Sequence, residues 1–195
     1  MSSPRGRGRP RGGTDSRARI LAAATEEFGE HGYDRATIRA IAARAGVDPA
    51  LVHHYFGAKA DLFAESIGVP LRPDLDVPRI LEGPREEVGE RIVRYVLGRL
   101  EQPDVRRRTV TVLRAALGAG PMAQPLIGFL SRELIAKVAG ATGAEDGPLR
   151  ANLVASQVVG MVIARYVVRL EPLASASVDE VAALIGPTLQ RYLYG

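Results

Sequence analysis

The sequence predicts an all-α protein of about nine helices, divided near residue 70 into a small N-terminal unit and a larger C-terminal one. Three observations carry that reading. Apolar residues recur three and four positions apart through most of the chain, and no stretch alternates with a period of two. Helix-capping residue types stand where the periodic stretches begin, and glycine or proline where they end. A chain of 195 residues, 46% hydrophobic and 25% charged, also holds enough apolar material to bury a sizeable core.

The elements follow in order. Residues 1–13, MSSPRGRGRPRGG, are too rich in glycine, proline and arginine to fold alone and read as a disordered basic arm. The arm holds four arginines and no acid, so it carries the whole formal net charge of +4; the other 22 basic residues match the 22 acidic ones. A basic arm on a neutral body points to a polyanionic partner. A first helix opens at Thr14–Asp15, buries Ile20, Leu21, Ala24 and Phe28, and stops at Gly32. Short helices over 37–45 and from Asp48–Pro49 onward flank a turn at Gly46–Val47, and another runs over 58–67. The next segment, GVPLRPDLDVP (68–78), contains three prolines and reads as a loop and domain boundary. It separates the arm (1–13) and an N-terminal unit (14–68) from a C-terminal unit (69–195). Further helices are predicted over 85–101, 105–117, 126–138, 149–170 and 178–194.

Composition excludes several functions. There is no cysteine and there are only three histidines, which leaves no disulfide scaffold, no thiol nucleophile and little to hold a metal. No nucleophile–histidine–acid set or phosphate-binding glycine loop is present, so neither an enzyme nor a cofactor is expected. The opening residues lack the apolar core of a secretion signal. The longest apolar stretch, 153–168, contains Gln157 and Arg165 and reads as too short and too polar to span a bilayer. A cytoplasmic protein with no membrane partner is the expectation.

Residues 37–56, TIRAIAARAGVDPALVHHYF, have the pattern of a helix-turn-helix. Ile38, Ile41, Ala42 and Ala45 face inward from the first short helix, and Val47, Val52 and Phe56 from the turn and the second. The second helix then stands out from the body and suits a major groove, with Pro49, Ala50, His53, His54 and Tyr55 as its outward candidates. Pro49 and Ala50 offer no side-chain hydrogen bonds, so they read thymine methyls or groove shape.

Over residues 15–66 the chain resembles the DNA-binding domain of the tetracycline-repressor (TetR) family of bacterial transcription regulators. The resemblance rests on Phe-x-Glu-x-Gly-Tyr-x₃-Thr from Phe28 to Thr37, Ala-Gly-Val at 45–47, and Tyr-Phe-x-x-Lys-x-x-Leu from Tyr55 to Leu62. It implies phosphate contacts for Thr37 and Lys59 and a base-edge contact for Arg39. His53 stands where the family usually has a phosphate-binding tyrosine, and Asp48 replaces a capping serine. In the arm, Arg7-Gly8-Arg9-Pro10-Arg11 resembles the core of an AT-hook. It is either a minor-groove reader or a flexible tail giving non-specific attraction.

The last two predicted helices are apolar on more than one face. Leu153, Val158, Val162, Tyr166, Val181, Leu184, Ile185, Leu189 and Tyr192 are the candidate dimer-interface residues, and the resemblance implies a four-helix interface between two copies. A homodimer would set two recognition helices about 34–36 Å apart on a palindromic operator of double-stranded DNA. An effector pocket is expected among the helices over 85–170, with Tyr95, Leu113, Leu117, Met122, Phe129, Gln157, Met161 and Arg165 as candidate lining. The resemblance implies a repressor released by an unknown small molecule; a ligand-independent architectural DNA-binding protein is the alternative.

Overall fold

A computed structural model describes residues 12–69, 71–118, 120, 123–143 and 145–195; among these, 82% of the chain's architecture is helical and no strand occurs. Helix α1 (Gly12–Arg35) is broken at Gly32, whose φ of 76° and ψ of 170° are not helical, so the predicted stop is in place. Gly12 and Gly13 belong to α1, which begins two residues before the predicted arm boundary; the AT-hook-like Arg7, Arg9 and Arg11 lie outside the described residues. Three short helices follow: α2 (Ile38–Ala45), α3 (Pro49–Phe56) and α4 (Lys59–Ser66).

The segment read as a boundary loop corrects the sequence reading. Residues Pro73–Leu81 form α5. Pro73 sits at the first helical position, where a missing N–H costs nothing, and Pro78 lies on the exposed side. Asp76, buried in this helix, reaches back to accept from the Arg72 backbone N–H at 2.8 Å and so caps it.

A short 3₁₀ turn (Arg85–Glu87) leads into α6 (Val88–Leu100) and then α7 (Pro103–Leu117). Helix α8 (Ala123–Phe129) runs through a π-helical stretch (Leu130–Ile135) into α9 (Ala136–Thr142), making one rod longer than the predicted 126–138. Helix α10 (Gly147–Val162) likewise continues as a π-helical stretch (Ile163–Val168), and α11 (Val178–Tyr194) ends the chain behind a Ser177–Glu180 capping box.

Two cores result. The first packs Ile20, Phe28, Ile41, Val52, Leu62 and Phe63 of α1–α4 and also takes in Leu126 and Phe129 of α8. The second joins α6, α10 and α11 through Val93, Leu97, Val154, Val162, Val181 and Leu189. Helices α6 and α11 cross with almost no space between their backbones. A Cβ on Gly89 would stand 2.1 Å from the Gly186 carbonyl oxygen and 2.7 Å from the Gln190 nitrogen. The Gln190 side chain bridges the crossing, accepting from the Gly89 N–H at 2.9 Å and donating to the Arg85 carbonyl at 2.8 Å.

The span Gly147–Val168 is, by length and composition, long and apolar enough to cross a bilayer, which corrects the reading of 153–168 as too short and too polar: the helix runs unbroken from Gly147, ahead of that apolar stretch, and only 28% of its most apolar window is buried. Its Arg165 is nonetheless committed to the protein, with its guanidinium donating to the carbonyls of Leu173 at 2.5 Å and Ala176 at 2.7 Å.

Candidate nucleic-acid interface

The turn between α2 and α3 is fixed by local chemistry. Gly46 adopts φ 63°, ψ 43°, a left-handed conformation that glycine accepts without the steric cost a Cβ brings. Its N–H and that of Val47 return to the carbonyls of Ala43 and Ala42 at 3.1 and 3.0 Å, closing the end of α2. Arg19 of α1 then donates to the Ala45 carbonyl and, at 3.1 Å, to that of Gly46. A cation at the negative end of α2 also suits the helix dipole.

Both short helices carry side-chain caps. Thr37 Oγ1 accepts from the Ala40 N–H at 3.0 Å, and Asp48 Oδ1 accepts from the Ala50 N–H at 2.7 Å. Helix α2 is tied to α1 by its Arg44, which donates to Glu26 at 3.2 Å, Glu27 at 3.1 Å and Glu30 at 2.9 and 2.5 Å. That bond holds the Glu30 carboxyl below the ordinary glutamate range, while the three carboxylates push the Arg44 guanidinium further up. The carboxylate–histidine group Glu27, Glu30 and His31 therefore already has a guanidinium as its cation.

Ala50, His53 and His54 are exposed on α3 and Pro49 is partly so, with 49/53 and 50/54 in register one turn apart. Tyr55 is half-buried and packs on the first core as well as 5.5 Å from the His54 ring. Arg39 is exposed beside Thr37. His53 Nδ1 lies 2.9 Å from the Gly57 carbonyl oxygen, so Nδ1 carries a proton there and Nε2 faces outward. A neutral ring so oriented accepts at Nε2; it donates to a phosphate only when doubly protonated, unlike a tyrosine hydroxyl.

Lys59 lies closer to the protein than the sequence alone suggested. Its Nζ sits 4.5 Å from the centre of the Tyr33 ring and 3.4 Å from the Asp34 carbonyl oxygen. Burial holds its ammonium below the usual lysine range, opposed by the Asp34 carboxylate. Tyr33 in turn stands among Phe28, Phe63 and Phe129, with ring centroids 5.2–5.9 Å away. No sequence signal pairs Lys59 with Tyr33, because the partners come from different helices.

Behind this unit, an apolar cavity of about 190 Å³ lies between α6, α7, α8 and α10. Val96, Val112, Leu126, Leu130, Leu134 and Val162 line it, with Tyr95, Arg99 and Thr109 as the polar side chains. Burial and the nearby Asp76 push the Tyr95 phenol up to about 12. Of the expected pocket residues, Tyr95 and Leu113 line this cavity. The others fall elsewhere. Leu117 is 62% exposed and Gln157 is exposed, because both lie on outward faces of their helices. Phe129 faces the first core, Met161 is buried in the second, and Arg165 is bonded to loop carbonyls; Met122 lies outside the described residues.

The expected interface residues also divide. Val162, Val181 and Leu189 are buried in the chain's own second core, against which Val158, Tyr166, Ile185 and Tyr192 pack half-buried. Leu153 and Leu184 are exposed, at 38% and 79%.

Residues 20–66 match the family model described as bacterial regulatory proteins, tetR family, and residues 86–193 match that described as tetracyclin repressor-like, C-terminal domain. The transcriptional dual regulator CecR of Shigella flexneri is 29% identical over 172 residues, 78% of this chain and 76% of that protein. The regulatory protein RaaS of Mycobacterium tuberculosis is 56% identical over 45 residues, 23% of this chain and 21% of its own length. Among solved structures, a TetR-family regulator from Streptomyces coelicolor A3 is 34% identical, with a TM-score of 0.55 over 96% of this chain and 99% of that one.

Proposed function

Since the chain belongs to the tetracycline-repressor family of helix-turn-helix transcription regulators, and is thus a DNA-binding regulator, we propose that it acts in the cytoplasm as a homodimer on a palindromic operator and is released by a small, largely apolar effector. One observation carries the reading: a single rod serves both the cavity and the DNA-binding unit. Leu126, Leu130 and Leu134 of that rod line the cavity. Phe129 of the same rod enters the first core, and Arg132 and Glu133 bond Asp34 at 2.8 Å and Tyr33 at 2.7 Å. A ligand that favours one position of the rod biases the end of α1, and with it α2–α4.

The cavity is smaller than the roughly 300 Å³ at which drug-sized pockets begin, so the effector is either compact or widens the site by moving the rod. Leu149 and Leu153 of α10 and Leu184 of α11 remain exposed, and two copies meeting there would bury them. Sequence reading falls to Arg39 and the exposed face of α3, backbone positioning to Thr37, His53 and Lys59.

The test is selection from a random duplex pool with the full-length protein at moderate salt. A palindrome with one fixed half-site spacing supports the reading. Survivors that are merely A·T-rich overturn it in favour of an arm-dominated architectural protein.

A further inference from the structure

A second cleft, of about 610 Å³, opens between α7 and the turn after α10, and none of its lining residues is shared with the apolar cavity or with α2–α4. Its wall holds five arginines, Arg106, Arg107, Arg114, Arg165 and Arg169, against one carboxylate, Glu171. We propose that this cleft binds a small multivalent oxyanion, a molecule bearing two or more phosphoryl or carboxylate groups.

The charges are not neutralised from within. Arg107 is paired with Asp104 at 2.8 Å, and Glu171 already accepts from the Ser175 hydroxyl at 2.7 Å. Arg106, Arg114 and Arg169 have no carboxylate within ion-pair distance among the described residues. Like charges crowded into one concave surface repel, and a bound anion removes that cost. Guanidinium groups grip phosphate and carboxylate through paired N–H bonds, so the arginine-only composition suits such a ligand better than a point charge would.

Two further features mark the cleft as built. Arg165 is only 7% exposed; its terminal nitrogens hold the Leu173 and Ala176 carbonyls, fixing the turn that forms one wall, while its buried Nε–H has no acceptor. Arg169 stands at φ 60°, ψ 50°, and it is the one non-glycine residue with positive φ among those described. Its N–H returns to the Ala164 carbonyl to end the helix, a position glycine fills with less strain. An arginine kept in that conformation places its side chain on the cleft, and strain of this kind collects at ligand sites.

Calorimetric titration of the full-length protein with pyrophosphate, citrate and acetate at constant ionic strength tests the proposal. Saturable binding of pyrophosphate or citrate, but not acetate, is expected, and the stronger of the two identifies the ligand as phosphoryl or carboxylate. Arg106→Ala and Arg114→Ala should each weaken it about tenfold or more. Arg169→Gly should weaken it while raising the melting temperature, which separates binding from folding. Equal heats for all three anions, or affinities unmoved by these substitutions, would overturn the proposal. So would variants that lose DNA affinity while keeping pyrophosphate binding, since the arginines would then serve the nucleic acid. Because α2–α4 contribute nothing to the cleft, a failed operator selection leaves this result independent.

Discussion

The Tyr33 hydroxyl donates to a carboxylate oxygen of Glu133 at 2.7 Å, across 100 positions of sequence, and fastens the end of α1 to the rod that lines the cavity. Burial and the Glu133 carboxylate push the phenol up, so it stays a donor throughout the physiological range. Tyr33→Phe keeps the aromatic packing and removes this bond. It should cost about 1 kcal/mol in urea unfolding, and Glu133→Gln, which still accepts, should cost less. Equal losses from the two changes would mean that the carboxylate charge, not the hydrogen bond, is what matters.

Lys59→Ala should weaken binding to every DNA sequence alike and lower the salt slope by about one ion, whereas Arg39→Ala should relax preference at one base pair by about 1–3 kcal/mol. His53→Tyr replaces a ring whose Nδ1 is engaged by the Gly57 carbonyl with a hydroxyl donor, so it should tighten binding. Filter binding across salt concentrations, with operator and scrambled duplexes, reads all three. A sequence-dependent Lys59 effect would reverse the assignment.

Arg44 confers a pH-dependent contribution whose sign follows from Glu30. The folded-state carboxyl is depressed below its unfolded value, so the stabilisation is complete above the unfolded value of about 4.5 and is lost as pH falls through the folded one. Arg44→Met leaves three carboxylates facing one another. It should lower the melting temperature at pH 7, with the gap to the parent protein closing below pH 4.5. A gap independent of pH would point to lost packing alone.

Gly89→Ala should destabilise strongly, by about 3 kcal/mol or more, because the new methyl meets backbone rather than a movable side chain. Gly98→Ala on the same helix, where nothing lies within 4 Å, should be neutral or slightly stabilising. Thermal melts of the pair measure the contrast; similar values would mean that α6 and α11 are not in close contact in solution.

Leu184→Glu alters a side chain that is 79% exposed and so should leave the fold intact. If two copies meet on α11, sedimentation will show a monomer and operator affinity will fall by about 10². A variant that remains a dimer places the interface elsewhere.

Most of the fold was legible because its signals are local. The cap at Asp48, the break at Gly32 and the turn at Gly46 each depend on residues within four positions. Helix α5 was hidden because prolines at 73 and 78 have the composition of a loop, and only their position and the Asp76 cap make them tolerable. Periodicity marked the apolar faces of α10 and α11 without saying which core they meet. Val181 and Leu189 turn inward while Leu184 turns out, and Arg165 is held by carbonyls eight and eleven positions away. The family resemblance singled out Lys59, but its resting place on Tyr33 depends on how two helices cross.

The backbone contact at Gly89 and Gly186 makes α6 the unyielding wall of the cavity that Tyr95, Val96, Arg99 and Leu100 help to line. Room for a bulkier guest has to come from the opposite side, by displacing α7 or the rod carrying Leu126, Leu130 and Leu134. The rod's π-helical turn, with its looser winding, lies at that point. If an effector occupies this cavity as proposed, substitutions that retune its choice should therefore accumulate on α7 and the rod and leave the α6–α11 crossing untouched.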